Sequence, residues 1–173
     1  CGSADGRPGR GLSRSVSGSV APLEIRALDP ASPDARRFLE WSDAYLASLY
    51  PAESNHLEDV EALSQPNVHF VGGYEGGELR ACGAVKLLED DGRYGEVKRV
   101  FVPESQRGRG YSKQVMRHLE EFLLASDVRI ARLETGVRQV EALALYRGLG
   151  YRVRGPFGAY RPDPLSVFLE KDL

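Results

Sequence analysis

The chain has 173 residues, 42% hydrophobic and 28% charged, with 23 basic against 25 acidic side chains and a formal net charge of −2. That length suits one domain with its own core, and the charge balance excludes the broad electropositive face that bulk nucleic-acid binding requires. No apolar run approaches the ~20 residues of a membrane helix, and Cys1 in a terminal tail with Cys82 in an apolar stretch argues for a reducing, cytoplasmic setting.

Residues 1–20 are almost wholly glycine, serine, arginine and other small residues, and are expected to form a flexible tail before a single domain over 21–173. Leu23, Ile25 and Ala27 alternate with polar neighbours and predict a strand. Ser32-Pro33-Asp34 then supplies an N-cap, a proline at the first helical position and an acid in the first turn. The helix it opens carries Phe38, Trp41, Tyr45, Leu46 and Leu49 and stops at Pro51. Asn55 with Glu58 three residues on resembles a capping box for a shorter helix bearing Leu57, Val60 and Leu63.

Two β-rich runs, 68–74 and 79–88, are joined through Gly76-Gly77, a hairpin signal. The spacing predicts a strand over 94–102 closed by Pro103, then a helix to about residue 126 with Val115, Met116, Leu119, Phe122 and Leu123 on one face. A strand is predicted over 128–134, and a last helix carries Ala142, Leu145, Tyr146 and Leu149 and ends at Gly150. Strands over 151–153 and 166–170 close the chain. This order predicts an α/β fold, a mixed sheet with helices on both faces. His56, His69 and His118 lie far apart in sequence with no acidic cluster around any of them, so no metal site is expected.

The informative segment runs from Glu96 to Ser112: an apolar strand, a loop with Gly108 and Gly110, and the start of an amphipathic helix. Free N–H groups at a helix start make an anion site, and glycine lets a phosphate approach the backbone. Arg107 and Arg109 add fork-shaped donors. The nucleotide P-loop is excluded because Gly110 is followed by Tyr111-Ser112 instead of Lys-Ser/Thr. The dinucleotide fingerprint fails as well, since Lys113 occupies the place of its third glycine.

Arg107-Gly108-Arg109-Gly110-Tyr111-Ser112 resembles the acetyl-CoA pyrophosphate loop of the GNAT N-acetyltransferases, Gln/Arg-x-x-Gly-x-Gly/Ala, with Ser112 departing at the last position. Gln139-Val140-Glu141-Ala142-Leu143-Ala144-Leu145-Tyr146 resembles that family's second block, with Gln139 where asparagine is usual. A narrower likeness over 133–136, 155–160 and 163–166 is to small bacterial acetyltransferases. The resemblance implies the acyl-CoA N-acyltransferase fold, a mostly antiparallel sheet of six to seven strands with about four flanking helices. It implies acetyl-CoA as co-substrate, no metal, and an amine acceptor on a small molecule or peptide, with no nucleic acid and no membrane; dimers are common among relatives.

Carried onto this chain, the resemblance implies cofactor contacts from Val100, Phe101, Val102, Arg107, Gly108, Arg109, Gly110, Tyr111, Ser112, Gln139 and Ala142. Regular alternation would put Glu96, Lys98, Val100 and Val102 on one face of the strand and Val97, Arg99 and Phe101 on the other. Tyr146 matches the motif tyrosine that donates to the departing thiolate. Glu96 is the leading general base and Glu134 the alternative. Tyr50, Phe157 and Tyr160 are expected to line the acceptor pocket, and Cys82 to be a buried apolar residue. Two readings stand: a catalytic N-acetyltransferase, and a non-catalytic acyl-CoA-binding module of the same fold.

Overall fold

Alternation in the β-rich runs closes into one seven-stranded sheet in the computed structural model, which describes residues 21–173. The tail expected over 1–20 lies outside the described residues. The strands are β1 (Glu24–Ala27), β2 (Val68–Glu75), β3 (Glu78–Leu88), β4 (Tyr94–Phe101), β5 (Ile130–Gly136), β6 (Arg152–Arg154) and β7 (Ser166–Asp172). Their spatial order is β1-β2-β3-β4-β5-β7-β6. Every neighbouring pair is antiparallel except β4 and β5.

Four helices cover the sheet: α1 (Pro33–Leu49), α2 (Val60–Leu63), α3 (Tyr111–Ala125) and α4 (Val140–Gly148). On one face α3 buries Val115, Met116, Leu119 and Leu123 against Val85, Val97 and Leu133, and Tyr146 of α4 joins the same cluster. The approach is close: a Cβ on Gly95 of β4 would stand 2.3 Å from Leu123. On the other face α1 and α2 bury Phe38, Leu39 and Leu63 against Phe70, Cys82 and Phe101. Among the described residues no helix is long and apolar enough to cross a membrane.

The expected start of α1 holds, with Ser32 as N-cap and Pro33 first in the helix. The capping box at Asn55 does not form. Asp59 caps α2 instead, accepting from the Ala62 N–H at 2.8 Å, and Asn55 closes a one-turn 3-10 helix, Ala52–Ser54. Glu58 is drawn away toward two lysines on the sheet.

The alternation predicted for β4 also breaks. Cys82 pairs with Phe101 but Ala84 with Lys98, so Arg99 and Val100 together oppose Gly83 in a bulge. Arg99 takes a left-handed φ of 57° there. Beyond the bulge the faces exchange: Val100 and Val102 pack with the α3 cluster and Phe101 with the α1 cluster. Glu96 and Lys98 therefore do not share a face with Val100 and Val102.

Candidate active site

β4 and β5 pair only at Gly95–Ala131 and Glu96–Arg132, and part beyond Glu96. A parallel pair whose partners diverge leaves the backbone donors and acceptors along β4 without a strand partner on that side. A cavity of about 690 Å³ occupies the gap. Its walls come from β4, β5, α1, the starts of α3 and α4, and the β6–β7 loop.

One end of the cavity is the start of α3. Gly110 is the N-cap with φ 75°, and Gly108 has φ 77° with open space where a Cβ would stand. No side chain caps the helix. Its first intrahelical bond runs from the Gln114 N–H to the Gly110 carbonyl, so the N–H groups of Tyr111, Ser112 and Lys113 precede it. This arrangement fits a diphosphate, which accepts from free amides at the positive end of the helix dipole. Arg109 is exposed beside it. Arg107 is turned inward, donating from Nε to the Val102 carbonyl at 3.2 Å and lying over the Tyr45 ring. The Tyr111 side chain leaves the site for the core and bonds Glu75.

At the other end, Glu96, Lys98, Glu134, Tyr146 and Tyr160 line one space. The Tyr160 hydroxyl donates to Glu96 Oε1 at 2.5 Å, and Lys98 Nζ donates to the Tyr160 oxygen at 3.0 Å. Glu134 is raised above the usual carboxylate range by burial, against a Ser166 hydrogen bond and the His56 and Lys98 charges. The Tyr146 phenol is pushed up to about 12 by burial and then by the Glu134 charge. Tyr160 is raised further still, first by burial and then by Glu96.

Tyr50 lines the cavity and accepts from the Arg138 N–H at 3.0 Å. Phe157 does not line it: the ring is buried in a satellite cluster with Tyr94 and Phe168, because the loop carrying it folds back under Tyr160. Gln139 borders the cavity, but its side-chain oxygen accepts from the Gly136 N–H at 3.0 Å and so shapes the turn into α4. Cys82 is buried as expected, its thiol pushed up to about 12 by desolvation. Among the described residues no group of three or more His, Cys, Asp or Glu is placed to hold a metal ion. Sequence reasoning missed Glu58 beside this end, because it reads that residue as half of a capping box. His56 meets the Tyr160 ring edge-on at 5.2 Å.

A sheet split between its fourth and fifth strands, with a glycine loop and helix start facing the split, is the architecture of the acyl-CoA N-acyltransferase fold. The model of the acetyltransferase (GNAT) family matches residues 35–151, and the chain belongs to that family. It is 44% identical over 151 residues to an "IAA acetyltransferase" of Azospirillum brasilense, spanning 87% of this chain and 98% of that one. A solved structure described as an acyl-CoA N-acyltransferase of Klebsiella pneumoniae matches with TM-score 0.75 and 32% identity, covering 87% of this chain and 97% of that one. The PaiA N-acetyltransferase of Thermoplasma acidophilum, solved with coenzyme A, shares the fold at TM-score 0.66 and 15% identity, covering 88% of this chain and all of that one.

Proposed function

We propose that the chain transfers an acetyl group from acetyl-CoA to a primary amine of a small molecule or peptide, both substrates being bound together. One observation carries this reading: a phenol and two carboxylates, Tyr146, Glu96 and Glu134, line one end of a cavity whose other end is the free start of α3. Family membership and the acetyltransferase relative support acetyl transfer. In this reading the α3 amides with Gly108, Arg109, Gly110 and Ser112 hold the diphosphate. The parted edge of β4 over Val100, Phe101 and Val102 receives the pantetheine arm, which passes Gln139 and Ala142.

Acetyl-CoA supplies a thioester carbonyl and a thiolate leaving group. Held in attack geometry, the two reactants gain up to ~7–11 kcal/mol from proximity alone. The new bond joins the amine nitrogen to the acetyl carbon as the carbon–sulfur bond breaks, its electron pair passing to sulfur. Glu96 faces the incoming amine. Glu96 is placed to take the amine's proton, and Glu134, made a stronger base by burial, is the alternative acceptor. With its phenol pushed up to about 12, Tyr146 keeps its proton at neutral pH and is a far weaker acid than a thiol near ~8.5. It therefore stabilises the departing thiolate by donating a hydrogen bond and keeps its own proton, while the amine's proton stays on the carboxylate. Tyr50 and Tyr160 border the acceptor.

The test is thiol release across a panel of amino acids, polyamines, aminoglycosides and peptides, with mass spectrometry of any product. Tyr146→Phe is expected to cut kcat about 100-fold while leaving CoA affinity nearly unchanged. Thiol release that never exceeds background hydrolysis on any amine would defeat the catalytic reading and leave an acyl-CoA-binding module.

A further inference from the structure

Glu58, Lys98 and Tyr160 are joined to Glu96 by contacts that the transfer reaction itself does not require. We propose that these three are positioning residues, which fix one oxygen of Glu96 so that its other oxygen is held toward the acceptor. The proposal rests on the acetyl-transfer reading and gives these three residues a role beyond lining the site.

The direction of each hydrogen bond follows from the groups themselves. A lysine ammonium can only donate, and a carboxylate can only accept. Lys98 Nζ lies 3.0 Å from the Tyr160 oxygen, so the phenolic proton points the other way, onto Glu96 Oε1 at 2.5 Å. Lys98 Nζ also lies 3.4 Å from that same oxygen. Both contacts fall on Oε1. Tyr160 remains a donor throughout, because burial and the Glu96 charge hold its proton in place.

Glu58 completes the arrangement from the link ahead of α2, with its carboxylate 3.2 Å from Lys98 and 3.8 Å from Lys86. Charges thus alternate along Glu96, Lys98, Glu58 and Lys86. The Lys98 and Glu96 side chains are only 10% and 7% exposed, so the ion pairs are shielded from solvent screening and set geometry firmly. Three separate parts of the chain meet around the Lys98 ammonium: the α1–α2 link through Glu58, β4 through Glu96 and the β6–β7 loop through Tyr160.

A misplaced reacting group loses rate steeply, up to ~100-fold for about 1 Å. Tyr160→Phe is therefore expected to lower kcat at least about tenfold with the KM for acetyl-CoA unchanged. Lys98→Met is expected to do the same, and Lys98→Arg, which keeps the cation, to recover part of the loss. The double variant Tyr160→Phe/Lys98→Met should lose little more than either single one, since both act through Glu96. The carboxyl carbon resonance of Glu96 in the substrate-free protein should move in both single variants. That readout needs no turnover, so it judges the positioning role even if no amine is acetylated. An unmoved resonance, or kcat losses that simply multiply in the double variant, would overturn the proposal. Should Tyr160→Phe not fold, Lys98→Met carries the same comparison.

Discussion

A Cβ on Gly136 would stand 2.0 Å from the Tyr50 hydroxyl oxygen, so the phenol fills the space in which any side chain at that position would sit. The close approach lets Tyr50 accept the Arg138 N–H and pins the end of α1 to the β5–α4 turn. Overpacking at such a contact costs about 1–3 kcal/mol. Gly136→Ala should thus lower Tm by several degrees, and Tyr50→Ala in the same chain should relieve the clash, making the pair strongly non-additive. Melting of Gly136→Ala at the wild-type temperature would show that the phenol lies elsewhere. Tyr50 was legible as a wall of the site because it stands at a helix end beside Pro51. Gly136 was not, because its partner is 86 positions away in the chain and a glycine carries no pattern of its own.

The bulge in β4 is where strand periodicity and structure part company. Arg99 adopts a left-handed backbone that costs an L-residue about 1–2 kcal/mol, and its guanidinium compensates by pairing with Asp43 of α1 and reaching the Leu39 carbonyl. Such strain persists only where the surroundings over-determine it. Arg99→Gly and Arg99→Ala lose the same ion pair, but only glycine sheds the strain. Urea unfolding should therefore find Arg99→Gly more stable than Arg99→Ala by about 1 kcal/mol; equal stabilities would rule out the left-handed backbone. The glycine loop before α3 and the start of α4 were legible because glycines and helix starts leave local signatures. The exchange of faces after Lys98 was not, since nothing in Lys-Arg-Val announces an extra residue. The insertion of β7 between β5 and β6 was equally hidden, because strand order is decided by packing between distant segments.

Acid sensitivity belongs to the whole molecule, because the groups responsible join separate layers. His69 of β2 and His118 of α3 lie 49 positions apart in sequence but meet with their Nε2 atoms 3.3 Å apart, and Phe122 stacks on His69 at 4.0 Å. One ring donates and the other accepts, so a second proton finds no acceptor there. Burial, and then the His118 charge, lower the His69 pKa below its usual value. The unfolded chain therefore binds more protons than the native one below about pH 6.5, and stability rises with pH through that window. It is fully present above the unfolded value and is lost as pH falls toward the native one. Glu170 acts in the same direction lower down the scale. Burial alone would raise its carboxyl, but hydrogen bonds from Arg132 and Arg154 outweigh that and hold it below the ordinary range. Its contribution is lost only as pH drops beneath about 4. Urea midpoints should hence fall in two stages on acidification, the first near pH 6 and the second near pH 4. His69→Gln should remove the first stage and spare the second. A variant that keeps the wild-type slope between about pH 7 and 5 would assign that loss of stability to some group other than this pair.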